Sequence, residues 1–310
     1  IFPLLVVGFL CLGIGSAVSL QARFAATDLA TPTRRGRDLS LVVWSTTVGA
    51  VVGPNLFGPG AGLAQALGLP GNSGAFIIAL VAQLATAVVI TVGLRPDPLL
   101  VARDLVAEHR ADGVHLEPTA VQTARRRVTL ILVIAGIGGS HAIMVAVMSM
   151  TPVHLTGHGA TLVVVGVVIS LHVAGMYALS PLFGWWSDRA GRLVVMVAGY
   201  LILGAALLVL GLAPNDHTLV AVGLTLLGLG WSAATVAGSA LVTDLASGPD
   251  RVRVQGRSDM TMSLSGAAAG AVAGPVLALV GYGGLAVVTG ALVVGLLVLA
   301  GVVRGRLRAP

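Results

Sequence analysis

The stretch Leu193-Val194-Val195-Met196-Val197-Ala198-Gly199-Tyr200-Leu201-Ile202-Leu203-Gly204-Ala205-Ala206-Leu207-Leu208-Val209-Leu210-Gly211-Leu212 holds twenty residues and no charge. That is the length a helix needs to cross the ~30 Å hydrocarbon core of a bilayer. With no water there, backbone N–H and C=O groups must be satisfied within the segment, and a helix does this. Similar runs recur in both directions, and nine spans can be drawn: 1–29, 41–57, 73–94, 128–150, 160–183, 193–212, 218–242, 260–280 and 285–303. The composition agrees. The 310 residues are 56% hydrophobic and 10% charged, with a mean hydropathy of +0.98, whereas a soluble domain carries roughly 25% charged residues. The sequence predicts an all-α integral membrane protein with the lipid bilayer as its solvent.

The few charges report the topology. All 18 basic residues are arginine, which, with abundant Ala, Val, Leu and Gly, points to a GC-rich bacterial genome. Seventeen of them fall on one side of the nine spans: Arg34, Arg35 and Arg37; Arg95, Arg103, Arg110 and Arg125, Arg126, Arg127; Arg189 and Arg192; Arg251, Arg253 and Arg257; Arg304, Arg306 and Arg308. The facing loops, 60–71, 153–159, 213–217 and 281–284, hold none. The positive-inside rule makes the arginine side cytoplasmic, so the chain starts outside and its C-terminus lies inside. A multi-pass protein of the bacterial inner membrane is expected. In a soluble protein a pI near 10.9 would suggest nucleic acid. Here arginines in short loops between spans account for it, and no nucleic-acid partner is expected. The single cysteine, Cys11, offers no disulfide framework. Ile1 lies inside an apolar run without a charged n-region, and reads as neither a natural start nor a signal peptide.

An internal repeat organises the spans. Ala26-Thr27-Asp28-Leu29-Ala30 recurs 216 residues later as Val242-Thr243-Asp244-Leu245-Ala246, and Gly49-x-x-x-Gly53-Pro54 recurs 221 residues later as Gly270-x-x-x-Gly274-Pro275. Spans one and two thus match spans seven and eight in the same orientation, as in transporters built from parallel six-helix repeats. The expected architecture is two six-helix bundles, the first truncated to three helices, with three further helices expected in front. Residues 1–94 are the end of the first bundle, 95–127 a cytoplasmic linker, 128–303 the C-terminal six-helix bundle and 304–310 a cytoplasmic tail. Within the linker, Asp97-Pro98 reads as an N-cap followed by proline at the first helical position. Leu99, Leu100, Leu105 and Val106 set against Arg103, Asp104 and Glu108 suggest either a short interfacial helix or a solvated connection.

The loop between the fifth and sixth spans carries Ser180-Pro181-Leu182-Phe183-Gly184-Trp185-Trp186-Ser187-Asp188-Arg189-Ala190-Gly191-Arg192. Gly184 and Gly191 permit a tight turn, while Asp188 and the arginines supply charge that locks neighbouring helix ends; a solvated turn with positive-inside arginines is the plainer reading. The stretch resembles the G-x-x-x-D-R-x-G-R signature of the major facilitator superfamily, in the place of its second copy, so the whole chain resembles helices four to twelve. The resemblance implies a secondary transporter working by alternating access. It implies that Asp188 faces the start of helix eleven, near Asp259 and Met260, and that an arginine pairs with Asp244, whose counterpart in the repeat is Asp28. Gly49-Ala50-Val51-Val52-Gly53-Pro54-Asn55-Leu56-Phe57-Gly58 is similar to the helix-five motif G-x-x-x-G-P-x-x-G-G of proton-driven exporters, with Phe57 replacing one glycine. Small residues let backbones approach and Pro54 bends the helix, and ordinary packing explains the motif as well. For Gly266-x-x-x-Gly270-x-x-x-Gly274, packing alone is expected. One departure stands out: exporters of this family often carry an arginine four residues before the helix-four glycine, and here Phe9 precedes Gly13. Gln21-Ala22-Arg23-Phe24-Ala25-Ala26 is instead loosely similar to a permease branch that includes riboflavin-type vitamin transporters.

Ionisable groups inside a span are functional candidates by default. Arg23 lies a turn from the interface, where it either serves function or snorkels. His141 and His172 sit near the middle of helices that, by the resemblance, line the central cavity. A histidine exchanges a proton near neutrality; the plainer alternative is a neutral ring bonded to a neighbouring Ser or Thr. Trp44, Asn55, Gln83 and Trp231 are candidates for substrate contact or for helix packing. His154 and His158 have metal-like spacing, but Thr156-Gly157 and an external loop argue against a helical pair, so no metal and no cofactor are expected. There is no G-x-x-x-x-G-K-[ST] phosphate loop and no G-x-S-x-G elbow, so nothing supports an enzyme. The reading is proton-coupled export of a small hydrophobic or amphipathic compound. Its alternatives are import of a small nutrient such as a vitamin, and a transport-inactive membrane receptor.

Overall fold

The computed structural model describes residues 2–31, 33–111, 120–246 and 250–308. Among these all regular structure is helical: α1 (Phe2–Asp28), α2 (Arg35–Asn55), α3 (Phe57–Ala66), a 3-10 turn (Gly71–Ser73), α4 (Gly74–Gly93), α5 (Pro98–Ala111), α6 (Ala120–Gly157), α7 (Leu162–Tyr177), α8 (Ser180–Ala190), α9 (Arg192–Leu212), α10 (His217–Leu245) and α11 (Arg251–Arg308). Residues 112–119 of the expected linker and 309–310 of the expected tail lie outside the described residues.

Among the described residues six stretches are long and apolar enough to cross a bilayer: Gly74–Ala102, Gln122–Gly157, Val163–Ala190, Arg192–Leu212, His217–Leu245 and Arg251–Arg308. The last has 58 residues, which as one straight helix would measure roughly 87 Å, nearly three bilayer cores. It breaks at Gly281, whose φ of 71° and ψ of −179° are open only to glycine, so the spans expected over 260–280 and 285–303 meet there. The first two expected spans fall on α1 and α2. Both are helical: α1 holds no charged residue before Arg23, and α2 opens on Arg35, Arg37 and Asp38. Local signals set several other boundaries. Asp97 accepts the Leu99 amide at 2.8 Å and starts α5, and Asp216 caps α10 through Thr218 and Leu219.

The chain divides into two compact units, Ile1–Trp44 with Val114–Pro310, and Ser45–Gly113. In the first, α10 is the central element, touching α6, α7, α8, α9 and α11. Every residue from 230 to 243 is buried, and the run is rich in Gly, Ala and Ser because neighbouring backbones press against it. A Cβ on Gly228 would overlap the His172 carbonyl of α7, and one on Gly230 would stand 2.8 Å from the Leu203 amide of α9. At the end away from the arginines, Thr151 bonds Tyr282 at 2.8 Å. There His154 reaches the Pro214 carbonyl at 2.6 Å and stacks on Tyr282 at 4.3 Å, so α6, the α9–α10 connection and the far half of α11 are tied together. In the second unit α3 lies on α4, a Cβ on Gly60 standing 3.0 Å from the Gly74 carbonyl carbon. Residues 81–90 of α4 are all exposed, an apolar surface suited to hydrocarbon and not to water.

The close α7–α10 contact yields a stability test. Gly228→Ala should destabilise the protein by roughly 1–3 kcal/mol, because the clash is with backbone that cannot rotate away. Gly295→Ala, where a Cβ meets nothing within 4 Å, should be neutral or up to ~1 kcal/mol stabilising. Thermal unfolding in detergent reads both, and equal effects would contradict the packing.

Candidate functional site

At the arginine-bearing end of the first unit, α2 crosses α8 with the backbones in contact. A Cβ on Gly184 would overlap Ser40 and the Gly36 carbonyl, and one on Gly36 would stand 2.7 Å from both Asp188 Oδ1 and the Gly184 carbonyl. That crossing sets Asp188, one turn after Gly184, on the N-terminus of α2. Its Oδ1 accepts the Gly36 amide and its Oδ2 the Arg37 amide, each at 2.9 Å. The first amides of a helix have no partner within it, and the Arg34 side chain, which can only donate, cannot cap them. Asp188 therefore supplies the cap from another helix. This corrects the sequence expectation: Asp188 faces the start of α2 and not Asp259 and Met260 on α11. The expected kind of target, a helix N-terminus, is the one found, but it belongs to a different helix. Gly191, with φ +100°, turns the chain from α8 into α9 and brings Arg192 back onto Asp188.

Arg192 also bonds Asp244 through Nε at 3.1 Å, and Arg35 reaches the other Asp244 oxygen at 2.9 Å. Arg251 lies 3.8 Å from Asp28 and donates to the Thr27 carbonyl at 2.8 Å. A shift of 216 residues carries Asp28 onto Asp244 and Arg35 onto Arg251, and both arginines are the first residue of their helix. The aspartate of each copy of the sequence motif thus meets the arginine that follows the other copy. Arg189 takes no part in this network; exposed, it lies over the Trp185 ring at 4.6 Å.

Deeper along α1 the sequence analysis left Arg23 between function and snorkelling. Arg23 does not reach for solvent: its side chain is 4% exposed and is paired with Asp259 of α11, itself 8% exposed. Gln21 donates to the second Asp259 oxygen at 2.8 Å, and the Arg23 guanidinium lies 4.9 Å from the Phe24 ring centroid. Tyr177 of α7 packs against Phe24 and its neighbours Leu39, Val43 and Val236, and meets Trp231 of α10 edge-on at 5.9 Å. The Trp231 indole N–H donates to Nδ1 of His141 at 2.9 Å. An indole nitrogen can only donate, so Nδ1 carries no proton and the neutral ring holds its proton on Nε2. Gly266 makes room for that ring, since a Cβ there would stand 2.8 Å from His141 Cδ2. Arg23 lies within electrostatic reach of both His141 and Tyr177. The result is a polar and aromatic cluster drawn from α1, α6, α7, α10 and α11.

The other candidates stand apart. His172 is fully buried between α7 and α10, with Nδ1 bonded to the Leu224 carbonyl at 2.7 Å. Trp44 is 42% exposed and Gln83 is exposed within its own unit. Gly49 and Gly53 were expected to admit a neighbouring backbone, yet within their unit no atom approaches either. The helix α2 ends at Asn55, one residue past Pro54; the side chains of Pro54 and Asn55 lie outside the described ones. His158 bonds the His154 carbonyl of its own helix at 2.8 Å, and no group of three metal-ligating side chains occurs among the described residues. Asp259, Gln21, Tyr177 and Arg251 were missed as site residues. For Asp259 a signal existed, a carboxylate at the edge of a span in a chain with only 10% charged residues.

The cap on α2 can be tested by chemical accessibility. In a Cys11→Ser background, Cys11 being exposed, Ser40→Cys places a thiol at a buried position beside Gly184. Adding Asp188→Asn removes the charge from the helix N-terminus and should speed maleimide labelling on the order of 3- to 30-fold. An unchanged rate would show that the cap does not hold α2 in place.

Residues 144–310 match the family profile described as Major Facilitator Superfamily. The chain is 39% identical over 281 residues to an uncharacterised MFS-type transporter, YddS, of Bacillus subtilis strain 168, covering 89% of this chain and 64% of that protein. It is 36% identical over 290 residues to a second such transporter of that organism, YdeG, covering 93% and 67%. It is also 29% identical over 285 residues to the riboflavin transporter RfnT of Brucella anthropi, covering 89% and 66%. The chain therefore spans about two thirds of the length of these curated relatives. A match over more than half the chain, and the shared identity with MFS-type transporters, leave one assignment: this chain belongs to the major facilitator superfamily.

Proposed function

We propose that the chain forms the moving core of a proton-coupled secondary transporter that exports a small hydrophobic or amphipathic compound, with its arginine-bearing face in the cytoplasm. The observation that carries this reading is the buried Arg23–Asp259 pair joining α1 to α11. Removing one partner of a buried ion pair costs on the order of 3–5 kcal/mol, because the other charge is left without compensation. A proton delivered to Asp259 has the same local effect, since it cancels the attraction and frees Arg23. The contact between α1 and α11 then depends on the charge state of one carboxylate, which is how a proton acquires different affinities for two conformers. The nearby faces of Trp231, Tyr177 and His141 suit a flat apolar solute with a polar edge. Asp28, Arg35, Asp188, Arg192, Asp244 and Arg251 form the outer layer of the same closure.

The likeness to a riboflavin transporter favours a second reading, uptake of a vitamin-like nutrient, and direction of flux separates the two. In proteoliposomes of the full-length protein, an imposed proton gradient should drive substrate against its own gradient. Asp259→Asn should abolish the response to the proton gradient while preserving substrate exchange at equilibrium. Arg23→Gln should impair both, and the double variant should recover folding relative to Arg23→Gln. Full gradient-driven flux in Asp259→Asn would refute the coupling role.

A further inference from the structure

On the outer surface of the first unit, a groove of about 560 Å³ runs between the start of α9 and the end of α11. That volume lies within the ~300–1,000 Å³ of small-ligand sites. Its walls are apolar, with Leu193 and Val197 on one side and Leu297 and Gly301 on the other, and Arg304 and Arg308 stand at its arginine-bearing end. These two guanidinium groups lie one helical turn apart on the same face, where like charges repel. Among the described residues neither forms an ion pair; the pairs there are made by Arg23, Arg35, Arg192 and Arg251. The first turn of α9 at the same end carries no side-chain cap, so its dipole adds to the positive field.

We propose that this groove binds an anionic phospholipid of the cytoplasmic leaflet, its phosphate held between Arg304 and Arg308 and one acyl chain laid along Val197, Leu297 and Gly301. Two planar guanidinium groups match phosphate geometry and stay charged at any working pH. The anion removes their mutual repulsion, and the apolar trough below fits a hydrocarbon chain and not a free ion. Basic pockets between transmembrane helices on the cytoplasmic side recognise acidic headgroups in this way. The leaflet rests on the topology proposed above, whereas the binding itself does not, so the test reads binding without flux.

Native mass spectrometry of the full-length protein in detergent, with phosphatidylglycerol or phosphatidylcholine added, measures retained lipid directly. The wild type should retain phosphatidylglycerol in preference. Arg304→Gln with Arg308→Gln should lower that retention on the order of tenfold and leave phosphatidylcholine unchanged. Gly301→Leu fills the trough without a clash, since a Cβ there meets nothing within 4 Å, and should also displace phosphatidylglycerol although both arginines remain. Unfolding temperatures confirm that the variants are folded. Undiminished retention in either variant overturns the proposal. So does displacement of the lipid by millimolar inorganic phosphate, which would mark a site for the free anion only.

Discussion

A guanidinium and a carboxylate held out of water are stable only while each has the other, and Arg23 with Asp259 is such a pair. Its two members come from helices 236 residues apart in the chain. Long-range contact between α1 and the rest of its unit is otherwise sparse, and α11 is its chief neighbour. The arrangement around the pair follows from this constraint. Gln21 satisfies the second carboxylate oxygen, Phe24 offers its ring to the cation, and Tyr177 closes over Phe24.

Around this inner pair lies a layer in which two copies of one sequence motif are used alike. Arg35 and Arg251 each begin a helix, and each meets the aspartate near the end of a helix that carries the other copy. The Asp188 cap belongs to the same layer but acts on backbone amides and helix dipole instead of on a side-chain charge. The distinction has a physical consequence. Partly exposed ion pairs are screened and individually weak, whereas a carboxylate accepting two backbone amides fixes position as well as energy. The small residues at Gly36 and Gly184 are what make that geometry reachable, since any side chain would hold the helices apart.

Much of the fold was legible because hydrocarbon imposes a simple rule on composition: long uncharged runs became helices, and Asp97 and Gly191 began or ended them where their chemistry predicts. The nine expected spans were less secure at α2, where Arg35, Arg37 and Asp38 weaken the hydropathy signal. The site was legible only in part. Arg23 stood out as a charge inside a span, but its partner lay too far along the chain to be paired by spacing. His141 and His172 looked equivalent at mid-span, yet one faces Trp231 and Gly266 and the other a carbonyl within the bundle. Depth can be read from sequence, but the facing side depends on packing. Asp188 was recognised as a carboxylate at a helix start, but which helix it caps depends on the α2–α8 crossing at Gly36 and Gly184, which spacing does not show.

The most direct measurement is the distance between α1 and α11 when the pair is broken. Spin labels at Ala22 and Val252, both exposed, in a Cys11→Ser background would report the separation of the two helices in the full-length protein. The wild type should give one short distance population, and Asp259→Asn should add a second, longer one of comparable weight. A single unchanged short distance in Asp259→Asn would contradict the claim that this ion pair holds the arginine-bearing end closed.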